Sequence, residues 1–208
     1  MSPTLATAGY GVLLGTSVWA AGPLERSGGR RFPVLTAGAL LVVGTVSVLQ
    51  LTALPALLGA LERDRSALAH GQLWRLVTSL LVQDGGWPGT VFNLAALAVV
   101  GTVAESLWSR RRWLAIAATA GIGAQLWGLL VQPSGGGNSV LVFGLAASVL
   151  VLALRRGPRP SRVLAVAGLL AGAVLLVGGD LHGGAAALGA AAATFFLRSP
   201  TAAPRGAF

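Results

Sequence analysis

The sequence has no cysteine and no lysine. The first absence excludes disulfides, thiolate metal sites and a cysteine nucleophile. The second makes all 15 basic residues arginine. Charge of either sign is scarce, at 10% of 208 residues, where a soluble domain carries about 25%. So few charges cannot cover a water-facing surface, which excludes a cytosolic globular enzyme, a disordered chain and a coiled coil. Hydrophobic residues are abundant instead, at 54%, with a mean hydropathy of +0.76. A net charge of +9 would ordinarily suggest a nucleic-acid partner. Here the arginines fall between apolar stretches, so membrane orientation explains them better and no nucleic acid is expected.

A spanning helix needs about 20 apolar residues to cross about 30 Å of hydrocarbon. Seven segments qualify: residues 5–22, 33–52, 87–108, 113–131, 138–154, 163–179 and 181–197. The first is the weakest, being short and rich in small residues. A signal peptide is a poor rival for it, because Met1 to Thr4 carry no basic group and no clear cleavage site follows. The runs are continuous rather than alternating, which disfavours strands. The expected fold is an all-α polytopic membrane bundle with no soluble second domain. Pro55 is expected to end the second helix, residues 55–61 to lie in the interface, and the glycines at 135–137 to form a flexible turn. Residues 199–208 read as an unstructured tail.

Arg26, Arg30 and Arg31; Arg110, Arg111 and Arg112; Arg155, Arg156, Arg159 and Arg162; and Arg198 and Arg205 fall in alternate loops. That places 12 arginines on one side, against Arg63, Arg65 and Arg75 on the other. The 12-arginine side is expected to be cytoplasmic, with the N-terminus outside and the C-terminus inside.

Polar groups at membrane depth are functional candidates by default. They are Asp84, Asn93, Glu105, Gln125, Asn138, Ser139, Asp180 and His182. Ser139 opens the fifth segment and His182 the seventh, so both start just below the outer face. That is the placement a nucleophile and its general base need. The free N–H groups of a helix start would supply oxyanion donors beside Ser139. Helix capping is the commoner role of Ser and Asn at such positions, and on residues alone it stays open. Gln125 reads as an interhelical hydrogen-bond donor, and Asp180 either as an electrostatic neighbour of His182 or as a plain surface-loop carboxylate. His70 reads as a solvated loop residue. No metal cluster, phosphate loop or dinucleotide fingerprint occurs, and no cofactor is expected.

Several strings stand in order along the chain: Gly71-Gln-Leu-Trp74-Arg75, Gly85-Gly-Trp87 with Asn93 and Glu105, Gly137-Asn138-Ser139 with Gly144, and His182-Gly-Gly184 with Gly189. Together, and at this spacing, they resemble the rhomboid family of intramembrane serine proteases. Gly71-Gln-Leu-Trp74-Arg75 resembles the family's first loop motif. Gly85-Gly-Trp87 followed by Asn93, with Glu105 twelve residues on, resembles its second core helix. Gly137-Asn138-Ser139 with Gly144 resembles its nucleophile motif, and His182-Gly-Gly184 with Gly189 its last helix. The resemblance implies a six-helix core over residues 33–198, preceded by one extra helix and an arginine-rich linker in residues 1–32. It implies a dyad without a third carboxylate, in which Ser139 attacks and His182 is the base. Asn93 would serve as an oxyanion donor, supported by Gly137 and Asn138, and the substrates would be membrane proteins with transmembrane helices. Trp74, Arg75, Glu105, Gly144 and Gly189 carry structural roles: Trp74 and Arg75 as interface anchors, Glu105 as a cap or ion pair at the arginine-rich end. Small residues at Gly183, Gly184, Ala185 and Gly189 would bring the last helix against the fifth. The sequence departs from the family at Gly89 and Asp84, where histidines are common, and at Val140, where glycine is common. Gly89 removes one oxyanion donor and Val140 adds bulk beside Ser139. The implied activity is cleavage near the outer face of a bacterial plasma membrane. The alternatives are an inactive relative that binds transmembrane helices, and a proton-relay transporter built on Asp84, Glu105 or Asp180. The last is disfavoured because these carboxylates sit at segment ends.

Overall fold

The first helix runs longer than its hydropathy implies, from Pro3 to Glu25 (α1). The computed structural model describes residues 1–25 and 32–198. Arg26, Arg30, Arg31, Arg205 and the tail at 199–208 lie outside the described residues. After α1 come α2 (Val34–Thr52), three short loop helices α3 (Leu57–Leu61), α4 (Arg65–Ala69) and α5 (Arg75–Thr78), then α6 (Gly86–Ala96) and α7 (Thr102–Leu107). The chain ends in α8 (Arg110–Val131), α9 (Ser139–Arg156), α10 (Arg159–Val177) and α11 (Leu181–Arg198).

Among the described residues, five stretches are long and apolar enough to cross a membrane: α2, Gly86–Leu107, α8, α9 and α10. The other two long helices, α1 with 23 residues and α11 with 18, pack into the same bundle. Their hydropathy is diluted by small residues and, in α11, by His182 and Arg198 at its ends. The chain is thus an all-α polytopic membrane bundle, a six-helix core with one further helix before it.

Helix α9 is the axis of the bundle. Every residue from Val140 to Ala153 is buried, as a helix apolar on all sides requires. α8, α10, α11 and α1 surround it. In a bilayer, helices associate through close packing of small residues. A Cβ placed on Gly189 of α11 would overlap the Gly144 backbone of α9, and one on Gly144 would overlap Ala120 of α8. The expectation that Gly183 and Gly184 serve this same contact is corrected: Gly183 abuts the end of α10 at Leu175 and Leu176, and Gly184 abuts Trp127 of α8. Overpacking a tight seam destabilises by about 1–3 kcal/mol. Gly189→Ala is therefore expected to lower the thermal unfolding midpoint of the purified protein, and an unchanged midpoint would contradict this packing.

Helix α1 docks along α10 and α9. Its inner seam is Leu13, Ser17, Ala20 and Ala21, all buried. Gly168 and Gly172 of α10 give it room: a Cβ at Gly168 would overlap Thr16, and one at Gly172 would lie 3.2 Å from Leu13 Cδ1.

The segment 87–108, read from sequence as one span, is broken by a π-helical turn at Leu97–Gly101. Such turns mark sites where the backbone register shifts. The Trp113 indole N–H of α8 donates to Gly101 O at 3.1 Å. Glu105 then caps the start of α2, which has no side-chain cap of its own. It accepts from the Leu35 N–H at 3.0 Å, the Thr36 N–H at 2.8 Å and the Thr36 hydroxyl at 2.9 Å. Of the two roles read from sequence, the capping one matches this geometry.

Two buried arginines organise the loop between α2 and α6. Arg75 was expected to anchor at the interface alongside Trp74. Trp74 is exposed, but Arg75 is buried and donates inward to Gly59 O and Glu62 O, both at 2.9 Å, and to Gln72 Oε1 at 2.7 Å. Arg63 is buried too, in the two-residue β1 (Arg63–Asp64) paired antiparallel with β2 (Ser134–Gly135). It donates to Gln132 O and Ser134 O and to Gln125 Oε1. Gln125 therefore accepts here, where it was read as an interhelical donor.

Candidate active site

α9 and α11 begin at the same end of the bundle, opposite the arginines at 110–112 and 155–156. Their first residues meet there. His182 Nε2 lies 3.0 Å from Ser139 Oγ. A cavity of about 260 Å³ opens beside them. Its lining includes Asn93, Gly89, Ser139, Phe143, His182 and Tyr10.

The turn before α11 sets the histidine. Gly179 adopts φ +71°, a conformation that a side chain disfavours. The N–H groups of Gly179 and Asp180 return to Leu176 O and Leu175 O, closing α10 in a left-handed cap. Asp180 then starts α11: its Oδ1 accepts from the His182 backbone N–H at 2.8 Å, the contact of an N-cap. The same oxygen lies 3.0 Å from His182 Nδ1. Asp180 Oδ2 accepts from the Tyr10 hydroxyl of α1 at 2.6 Å. Burial pushes the Asp180 carboxyl up, but hydrogen bonds from His182 and Tyr10 outweigh it and hold the group below its ordinary value. The His182 ring is flanked by Tyr10 and Phe143, with centroids 4.7 and 4.6 Å away.

The segment before α9 sets the serine. The glycine run at 135–137, read as a flexible turn, is tied down on both sides. Gly136 N–H donates to Asp84 Oδ2 at 3.1 Å, Asp84 N–H to Gly136 O at 3.2 Å, and Gly137 N–H to Ser79 O at 2.8 Å. A Cβ on Gly136 would lie 2.9 Å from Val82 Cγ2 and 3.2 Å from Val82 O, so a side chain there would push these stretches of chain apart. The first turn of α9 leaves the Ser139 N–H without a helical acceptor.

Asn93 stands on α6 beside this turn. Its Nδ2 donates to Gln83 Oε1 at 2.8 Å, which uses one of two N–H groups. Gln83 Nε2 donates in turn to Asn138 Oδ1 at 2.8 Å, and Asn138 Nδ2 to Asn93 O at 3.2 Å. A side chain on Gly137 would lie 3.4 Å from Asn93 Nδ2 and 3.6 Å from Ser139 Oγ. Gly137 thus leaves the space between these groups open. Gln83 itself is buried and clasped by Gln50, whose Oε1 accepts its N–H and whose Nε2 donates to its carbonyl, both at 2.8 Å. Neither glutamine stands out in the sequence, because an amide among apolar residues gives no local signal of what it bridges.

Of the other residues singled out, His70 is exposed, with Nδ1 2.8 Å from Ser66 O. Val140 was expected to crowd Ser139. Its side chain is buried in the core and is not among the residues lining the cavity. Nothing lies within 4 Å of a Cβ built on Gly89.

A polytopic helical membrane protein carrying a serine, a histidine and amide donors around one cavity has a defined set of kin. A family model, the rhomboid domain, matches residues 70–179, and the chain belongs to the rhomboid family. The match ends just before His182 and leaves α1 and α2 outside it. The chain is also similar to "Rhomboid protease GluP" of Bacillus subtilis (strain 168), with 32% identity over 93 residues. That stretch is 44% of this chain but 18% of the relative, so the similarity spans less than a fifth of the relative's length. No solved structure matches.

Proposed function

We propose that this protein is an intramembrane serine endopeptidase that cleaves the transmembrane helices of other membrane proteins. The observation that carries the reading is the 3.0 Å contact between Ser139 Oγ and His182 Nε2 beside an open cavity. Ser139 Oγ attacks the scissile carbonyl carbon while its proton passes to His182 Nε2. The C–N bond then breaks and the same proton leaves on the amine. Water attacks the acyl-serine next, giving a proton to His182, and Ser139 is regenerated with the acid product. The Ser139 N–H and the second N–H of Asn93 Nδ2 serve the oxyanion.

The arginine-rich end is taken as cytoplasmic. The dyad then lies near the outer face of a bacterial plasma membrane, with the N-terminus outside and the C-terminus inside. Water reaches the site from that side. A fluorophosphonate probe tests the chemistry: wild-type protein in proteoliposomes should be labelled and Ser139→Ala should not. Absence of labelling in both would sink the reading.

A second reading, a non-catalytic relative that binds transmembrane helices, is favoured by Gly89, where an oxyanion donor is lacking. The open space around Gly89 separates the two. Gly89→His should leave the cleavage rate of a protease unchanged or raise it, by up to about 10²–10³-fold, the worth of one oxyanion donor. Measured kcat for both proteins on one single-span substrate decides it. No cleavage by either would favour the binding role.

A further inference from the structure

The proposed dyad does not use the two groups behind it. His182 presents Nε2 to Ser139 and Nδ1 to Asp180 Oδ1, each at 3.0 Å. The side chains of His182 and Asp180 are 19% and 15% exposed, so little water competes for these bonds. Asp180 is held from three further directions: by the His182 backbone N–H, by the Tyr10 hydroxyl, and through its own carbonyl by the Trp127 indole N–H at 3.1 Å. Tyr10 comes from α1, outside the six-helix core and outside residues 70–179.

We infer that Asp180 is a positioning residue for His182, and that Tyr10 of α1 holds Asp180 in place, so that the N-terminal helix is part of the catalytic machinery. The inference rests on the protease reading for its consequence and on geometry for its content. A carboxylate oxygen can only accept at Nδ1, so the proton sits on Nδ1 and Nε2 keeps its lone pair for the Ser139 proton. Once Nε2 takes that proton, the anion beside Nδ1 stabilises the imidazolium. The arrangement is the serine–histidine–carboxylate logic reached from a helix cap. Tyr10 closes the far carboxylate oxygen, so Asp180 cannot rotate away without breaking a bond to α1.

A plain helix-cap role for Asp180 makes different predictions. Asn and Ser are good caps as well, so Asp180→Asn and Asp180→Ser should fold and unfold near the wild-type midpoint under either account. If Asp180 positions His182, kcat falls in both by about 10²-fold, within the usual span for acid–base catalysis, while KM stays the same. Tyr10→Phe, which removes one hydroxyl, lowers kcat several-fold. Wild-type kcat in Asp180→Asn and Asp180→Ser would overturn the role of Asp180, and wild-type kcat in Tyr10→Phe that of α1.

The second readout does not need turnover. The sequence has two histidines, so ¹⁵N-histidine NMR in nanodiscs, with His70→Gln for assignment, reports the His182 ring alone. Wild type should show a protonated Nδ1 and a bare Nε2, and Asp180→Ser a mixture of tautomers. A bare Nδ1 in the wild type, or an unchanged ring in Asp180→Ser, would overturn the inference. Absence of cleavage and probe labelling in the wild type would refute the protease reading instead, and the ring signals still judge Asp180.

Discussion

Ser139→Ala and His182→Ala are each expected to abolish cleavage of a single-span substrate in proteoliposomes while leaving the bundle folded. In the proposed mechanism the two groups, 3.0 Å apart, act as one unit. Losing either member removes the nucleophilic pathway altogether, and in a unit of this kind single losses reach about 10⁴–10⁶ in kcat. The double variant should be no worse than either single one, because there is nothing left to lose. The fold should survive because Ser139 occupies the first position of α9, where its side chain supports no cap, and because His182 is only partly buried. Thermal midpoints measured on the same preparations check that. Cleavage at the wild-type rate in either variant would end the proposed mechanism.

Asn93→Ala is expected to lower kcat by about 10²-fold or more, the usual loss for one oxyanion donor. With glycine at position 89, no side-chain donor stands there to share the load. KM should move little, since the donor acts mainly in the transition state. The structure also gives Asn93 a supporting role, through its bond to Gln83 and its carbonyl bond to Asn138. The backbone carbonyl survives the substitution, whereas the Gln83 contact does not. Some loss of stability is therefore expected alongside the loss of rate. Both quantities measured on one purified sample separate the roles. A large fall in midpoint with an unchanged kcat would retire the oxyanion role and leave Asn93 as a strut.

The long helices were legible because a bilayer demands unbroken apolar runs, and their ends fall within a few residues of the hydropathy breaks. The start of α9 at Ser139 and of α11 at Leu181 follows from those breaks, and so does the common level of Ser139 and His182. What was not legible depends on partners far apart in sequence. Arg63 reads as one of three minority arginines, and only the fold shows it buried against carbonyls at 132 and 134. The π turn at Leu97–Gly101 leaves no mark on an apolar stretch. Tyr10 lies in the segment with the weakest signal, and its bond to Asp180 spans nearly the whole chain. Val140 shows a different limit: sequence tells that a bulky residue follows Ser139, but not that the helix turns it into the core.

The seat of α1 against α10 has a consequence for biosynthesis. α1 is the first of these helices to be made, and its principal neighbour is the last but one. Contacts between such distant parts of a chain form late, after a long loop has closed. Until α10 emerges, α1 has only its contacts with α7, the π turn and α9 to hold it, and most of its seat is still missing. The pocket around His182 acquires its Tyr10 wall only when α10 and the turn at Gly179 and Asp180 have emerged. A nascent chain released before that point would carry Ser139 without its histidine. Maturation of the site is thus tied to completion of the chain, whatever order the core helices assemble in.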